Sequence, residues 1–120
     1  MKLIGRGSII NMGSIAWKIP TANVSVYATS KAAILRLTRS LAHHLGPFNI
    51  RVNCISPGAI LTERQRRLWR TPEYENEVLS RQMLKVLLEP AAVARLALFL
   101  AADDSDGITS QNHVVDAGWI

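Results

Sequence analysis

The chain has 120 residues, 48% of them hydrophobic and 19% charged, with 14 Lys and Arg against 9 Asp and Glu and a net charge of +5. That balance excludes an intrinsically disordered chain, and the length suits one domain and little more. It also excludes a membrane span of about 18 apolar residues, because the longest apolar stretch, Ala91 to Ala102, is broken by Arg95.

The segment Gly7-Ser8-Ile9-Ile10-Asn11-Met12 follows a glycine-rich start and reads as a buried strand. Residues 13–23 are small and polar around Pro20 and read as a loop. A long helix is predicted from Val24 to Leu45. Its stripe of Tyr27, Lys31, Ile34, Thr38, Leu41 and Leu45 recurs at spacings of three and four. Gly46-Pro47 should close it, with Gly46 as a left-handed cap. Ile50 to Ser56 is a second strand, ending at Pro57-Gly58. Thr71-Pro72-Glu73 opens a further helix as cap, first turn and acid at the positive end. Pro90 opens another through about Ala102, residues 103–107 form a turn, and Asn112 to Asp116 is a last strand. Strands separated by helices imply crossover connections and a parallel sheet, so the fold class is α/β.

The pI is near 10.0, but Arg64, Arg66, Arg67 and Arg70 crowd one segment and aromatic residues are only 6%. A stacking platform for bases is poorly supplied, so the basic segment reads as a solvated face and no nucleic-acid partner is expected. No membrane association and no metal are expected either. His43-His44 falls at a helix C-terminus, where cations are favoured, and His113 reads as structural or as a subunit contact. The single Cys54 sits inside a predicted buried strand, forms no internal disulfide and fits a reducing compartment. The start, Met1-Lys2-Leu3-Ile4-Gly5-Arg6, lacks the apolar core of a signal peptide. A cytoplasmic address is expected.

Chemistry points to Tyr27 and Lys31, four apart and therefore on one helix face. A phenol has a reference pKa near 10 and is a poor base at neutral pH. An adjacent ammonium favours the phenolate, which could then take a proton from a substrate hydroxyl. On spacing alone, such a pair is equally an ordinary half-buried helix face.

The surrounding residues add more. Tyr27-Ala28-Thr29-Ser30-Lys31 is similar to the YxxxK signature of the short-chain dehydrogenase/reductase family. Ile9-Ile10-Asn11-Met12-Gly13-Ser14 resembles its strand-to-serine segment, with Ser14 thirteen residues before Tyr27. Asn49-Ile50-Arg51-Val52-Asn53 running to Pro57-Gly58 resembles the N-x-x-x-P-G element. Ile108-Thr109-Ser110-Gln111 and Val115-Asp116-Ala117-Gly118-Trp119 resemble the closing strand, with Ser110 and Ala117 standing where the family carries glycine. Both departures are expected to alter the final turn without touching the chemistry.

The resemblance implies a Rossmann-like, doubly wound parallel sheet. It implies an oxidoreductase using NAD or NADP. Tyr27 would be the base in oxidation and the acid in reduction. Lys31 would support Tyr27 and hydrogen-bond the nicotinamide ribose, and Ser14 would donate to the reacting oxygen. Pro57 and Gly58 would let the backbone pass close to the nicotinamide, with Ile60 and Thr62 at its carboxamide or pyrophosphate. The family's full-length form would be a homo-oligomer, dimer or tetramer, pairing through the YxxxK helix and through the last helix and strand.

Finer features resemble the family's aldose (pentose and galactose) 1-dehydrogenases: Gly13-Ser14-Ile15-Ala16-Trp17, Thr62 to Gln65 with Trp69, Thr71-Pro72-Glu73, Gln82 to Lys85 and the terminal Asp116-Ala117-Gly118-Trp119. The implied substrate is a small sugar or other alcohol. Trp17 could stack on a sugar face or lie in the core. Glu63, Arg64 or Gln65 could meet hydroxyls, or the 64–70 run could be an exposed helix face over the cleft.

The glycine-rich G-x-x-x-G-x-G turn that receives a dinucleotide pyrophosphate does not occur in the sequence, and Gly5-Arg6-Gly7 precedes the wrong strand. The expectation is therefore that residues 1–120 form a partial NAD(P)-binding domain. It would be the C-terminal half of a dehydrogenase beginning at an internal Met, with about three parallel strands and flanking helices. An inactive piece acting only in association is the alternative. The first strand would then expose an apolar edge.

Overall fold

Strand β1 spans Gly7–Met12 and places Ile9 and Ile10 at its middle, where neither reaches full burial. The computed structural model describes residues 1–20, 22–68 and 70–120. Helix α1 (Ser25–Leu45) carries the chain back to strand β2 (Ile50–Pro57). Helices α2 (Glu63–Leu68), α3 (Pro72–Arg81) and α4 (Pro90–Ala101) follow, and strand β3 (Asn112–Val115) closes the order. The sheet runs β1-β2-β3 with both pairings parallel. This is the α/β architecture expected from alternating strands and helices.

Strand side chains alternate between faces, and two hydrogen bonds show which helix covers which face. The Ser8 hydroxyl donates to the Leu100 carbonyl of α4 at 2.7 Å. The Asn11 side-chain amide donates to the Thr38 hydroxyl of α1 at 3.0 Å. Ser8 and Asn11 differ in parity, so α4 and α1 lie on opposite faces and the sheet is doubly wound. β2 lies between them, and Val52 through Ser56 are buried without a break, the near-continuous pattern of a parallel strand covered on both sides.

Buried polar groups knit the core. Asn53 donates to the Ile108 carbonyl at 2.7 Å and accepts from the Gln111 amide at 3.1 Å, which draws the loop before β3 onto β2. Arg51 donates to the carbonyls of Leu100 (2.9 Å) and Ala102 (3.0 Å), satisfying the C-terminal end of α4 from the sheet.

Several element ends differ from the expectation. Gly46 is right-handed (φ −54°) and starts a short 3₁₀ turn, Gly46–Phe48, while Asn49 takes the left-handed conformation at φ 54°. Pro47 fits the first positions of that turn, and Asn is among the side chains that tolerate the left-handed region. The predicted loop at 13–23 contains a 3₁₀ turn at Ile15–Trp17, and Thr21 within it lies outside the described residues. Thr71 caps α3 as expected, accepting from the Tyr74 amide at 3.2 Å. The Glu73 carboxyl is held below its ordinary value by its own main-chain amide and then by the Thr71 hydroxyl. No helix among the described residues is long and apolar enough to cross a membrane.

Candidate active site

A cleft of about 460 Å³ opens at the C-terminal ends of β1 and β2, the edge where open α/β sheets bind ligands. Its lining combines Met12, Gly13, Ser14 and Tyr27 with Pro57, Gly58, Ile60, Thr62 and Gln65, and is completed by Pro90, Val93 and Ala94.

Ser14 follows directly from the end of β1. The Gly13 amide continues the ladder by donating to the Ile55 carbonyl at 2.7 Å. A Cβ on Gly13 would lie 2.6 Å from Ser56 Oγ and 2.9 Å from Cys54 Sγ. Only a glycine lets this turn press so closely onto β2. Ser14 Oγ accepts from the Ala16 amide at 3.1 Å. That bond uses a lone pair and leaves the hydroxyl proton to donate to a ligand oxygen.

Tyr27 and Lys31 stand in the first two turns of α1. Tyr27 is half exposed and lines the cleft. Lys31 Nζ lies 5.6 Å from the Tyr27 ring centroid and donates to the Met12 carbonyl at 3.0 Å. The ammonium thus sits behind Tyr27, against the strand end that leads to Ser14. The turn after β1 and helix α1 bring Ser14 and Tyr27 into one cleft lining, with Lys31 bonded to the Met12 carbonyl of that lining.

The opposite wall is held by the chain that leaves β2. The Gly58 amide donates to the Val115 carbonyl at 2.9 Å, and a Cβ there would lie 2.6 Å from Asp116 Cβ. Ile60 forms an isolated parallel bridge with Leu88. The Thr62 hydroxyl accepts from the Gln65 amide at 3.2 Å, so it caps the start of α2. Arg66 pairs with Glu89 and ties α2 to the start of α4.

Of the residues considered for a sugar, Gln65 lines the cleft, whereas Trp17, Glu63 and Arg64 are exposed and outside its lining. Trp69 lies outside the described residues. Pro90, Val93 and Ala94 were missed in the sequence. They form the first turns of an apolar helix, and nothing in their pattern distinguishes a cleft wall from core. Cys54 is buried beneath the site, where desolvation raises its thiol pKa and hydrogen bonding from Ser56 opposes that rise. It is a packing residue and not a nucleophile.

The arrangement can host proton transfer at a carbon-bound oxygen: one hydroxyl donor, one phenol backed by an ammonium, and a mainly apolar slot. A cleft at the strand ends of a doubly wound sheet, bearing a Ser and a helical Tyr-Lys pair, defines a class of protein that comparison confirms. The family model described as enoyl-(acyl carrier protein) reductase matches residues 1–120, and the chain belongs to the short-chain dehydrogenase/reductase family.

Among individual relatives, D-xylose 1-dehydrogenase of Caulobacter vibrioides is 45% identical over 119 residues, covering 99% of this chain and 48% of that protein. A Rhizobium meliloti protein named "Probable galactose dehydrogenase GalD" is 48% identical over 118 residues, covering 98% and 46%. The solved structure of 7α-hydroxysteroid dehydrogenase with NADH and 7-oxoglycochenodeoxycholic acid superposes with a TM-score of 0.92 at 38% identity, covering 98% of this chain and 46% of that one. The chain spans about half the length of the curated relatives it matches.

Proposed function

We propose that residues 1–120 carry the catalytic half of an NAD(P)-dependent short-chain dehydrogenase that oxidises the CH–OH group of a sugar or another alcohol. The observation that carries this reading is that Ser14 and Tyr27 line one cleft, with the Lys31 ammonium 5.6 Å from the Tyr27 ring and bonded to the Met12 carbonyl of the same lining. Likeness to a D-xylose dehydrogenase and to a protein named as a galactose dehydrogenase supports an aldose as substrate.

The residues present fit the nicotinamide end of the cofactor. Pro57, Gly58 and Ile60 supply a largely apolar wall and Thr62 a polar group, and the Lys31 ammonium, held at the Met12 carbonyl of the same lining, would hold a ribose hydroxyl. A bound nicotinamide would supply the hydride acceptor for the carbinol carbon. Tyr27 takes the hydroxyl proton in oxidation and returns it in reduction. The Ser14 hydroxyl donates to the oxygen that gains negative charge, and the Lys31 ammonium stabilises the phenolate. Gln65, which lines the cleft, hydrogen-bonds a substrate hydroxyl, and Trp17, Glu63 and Arg64 contact the substrate from outside that lining. The working form is a cytoplasmic homo-oligomer.

Fluorescence titration of the 120-residue chain with NADH, followed by assays with D-xylose and D-galactose, tests this reading. Tyr27→Phe should cut turnover by at least about 10²-fold, and normal turnover in that variant would overturn the role of Tyr27.

A second reading, association without catalysis, is favoured by the outer face of α1. Val26 is 86% exposed and Leu37 49%, and the outer edge of β1 has no strand partner among the described residues. Light scattering after size-exclusion chromatography decides it, and a stable monomer counts against it.

A further inference from the structure

We infer that Asn11 and Thr38 are positioning residues that set the axial register of the helix bearing Tyr27 and Lys31 against the turn bearing Ser14. The inference rests on the roles proposed for those three residues. Its starting point is a pair of links between α1 and the last two residues of β1.

The first link is Asn11 Nδ2 to Thr38 Oγ1 at 3.0 Å, and the second is Lys31 Nζ to the Met12 carbonyl at 3.0 Å. Thr38 and Lys31 lie seven residues apart, so the links are separated by about 10 Å along the helix at 1.5 Å per residue. They share the stripe that also carries Tyr27. Two links at two heights stop the helix from sliding along the strand and from rolling.

The two links are not equivalent. Lys31 holds Met12 through a flexible four-carbon stem, and its ammonium also has a proposed partner in the ribose, so it makes a poor fixed point. Thr38 is only 2% exposed, and water cannot easily take over its bonds. Its hydroxyl donates to the Ile34 carbonyl of its own helix at 2.8 Å. A hydroxyl has one proton, so the remaining lone pairs can only accept. Asn11 must therefore be the donor, and the polarity and direction of the link are settled by chemistry. Asn11 stands two residues before Gly13, whose close contact with Ser56 and Cys54 fixes the Ser14 turn. Register passes from Thr38 through Asn11 to Ser14, while Lys31 stays able to change partners.

The test uses the isotope-labelled 120-residue chain. In the unmodified protein the Asn11 side-chain amide should exchange with solvent about tenfold or more slowly than that of the exposed Asn76. Exchange as fast as Asn76 overturns the inference, even if no Thr38 variant folds. In a folded Thr38→Val protein, the Ser14 amide and Lys31 ammonium resonances should shift, and Thr38→Ser should restore both. Turnover in Thr38→Val should fall about tenfold with KM within about twofold, again recovering in Thr38→Ser. A Thr38→Val protein with parental Ser14 and Lys31 signals sinks the inference. Should Tyr27→Phe keep normal turnover, the proposed catalytic roles fail, and the resonance and exchange measurements still decide the register.

Discussion

β2 and α1 are adjacent in the chain and in space, yet their surroundings are opposite. Five consecutive β2 residues, Val52 to Ser56, are wholly buried. Among the 21 residues of α1 only Thr38 and Ala42 are buried. β2 is specified from both faces and both edges, whereas α1 is specified along one stripe and otherwise faces outward with Val26, Leu37 and several alanines. The site uses both conditions. β2 supplies the buried floor beneath Gly13 and the start of the Pro57–Gly58 wall, and the bound face of α1 supplies Tyr27 and Lys31.

The largest effect should come from the buried strand. Ile55→Ala should destabilise the protein by about 2–5 kcal/mol in urea denaturation, and Ile9→Ala on the edge strand should cost clearly less. Equal costs would erase the distinction between centre and edge. Gly13→Ala comes next. Its methyl has no room against Ser56 and Cys54, so about 1–3 kcal/mol should be lost, together with the fluorescence response to NADH.

The third prediction has the opposite sign. Ser110 and Ala117 hold left-handed backbone at φ 64° and 57°, a region that costs a side-chain-bearing residue about 1–2 kcal/mol. Ser110→Gly and Ala117→Gly should each stabilise by about 1 kcal/mol after the entropy of the freer unfolded chain is subtracted. An unchanged denaturation midpoint in both would refute the strain.

A smaller, pH-dependent effect belongs to His113 on β3. Burial lowers its pKa, and its buried Nε2 has no hydrogen-bond partner among the described residues. The unfolded chain therefore binds this proton more readily than the folded one. Stability should be unaffected by His113 well above pH 6.5 and should fall as pH drops below about 6.5. His113→Gln should flatten that slope in denaturation series. The smallest effect is expected on the outer face of α1, where Val26→Lys should change monomer stability by no more than about 0.5 kcal/mol. If α1 pairs with a second copy, the same change should lower the mass in light scattering.

Much of this was legible in the sequence because the relevant signals are local. β1 begins and ends where the apolar run predicts, α1 starts one residue after the expected Val24, and α3 and α4 start at Pro72 and Pro90. α1 ends at Leu45 as Gly46-Pro47 predicts, but the left-handed residue is Asn49 and not Gly46, because Gly and Asn both accept that backbone and Pro47 suits a 3₁₀ turn as well as a stop. α2 was only half visible, since a six-residue helix shows too little periodicity. The cleft walls at Pro90, Val93 and Ala94 and the separation of Gln65 from Trp17, Glu63 and Arg64 were not visible at all. They depend on how α2 and α4 come together through the Ile60–Leu88 bridge and the Arg66–Glu89 pair.

By itself, then, the sequence determined the alternation of strands and helices and the residue types able to move a proton, because caps, periodicity and short motifs act over a few residues. Only the tertiary structure decided which faces α1 and α4 cover and which polar residues reach the cleft. It also joined Thr38 of the helix stripe to Asn11 of the first strand by a hydrogen bond that no local signal predicts. Those outcomes depend on contacts between residues far apart in the chain, and the distance between such residues is settled by packing the whole sheet.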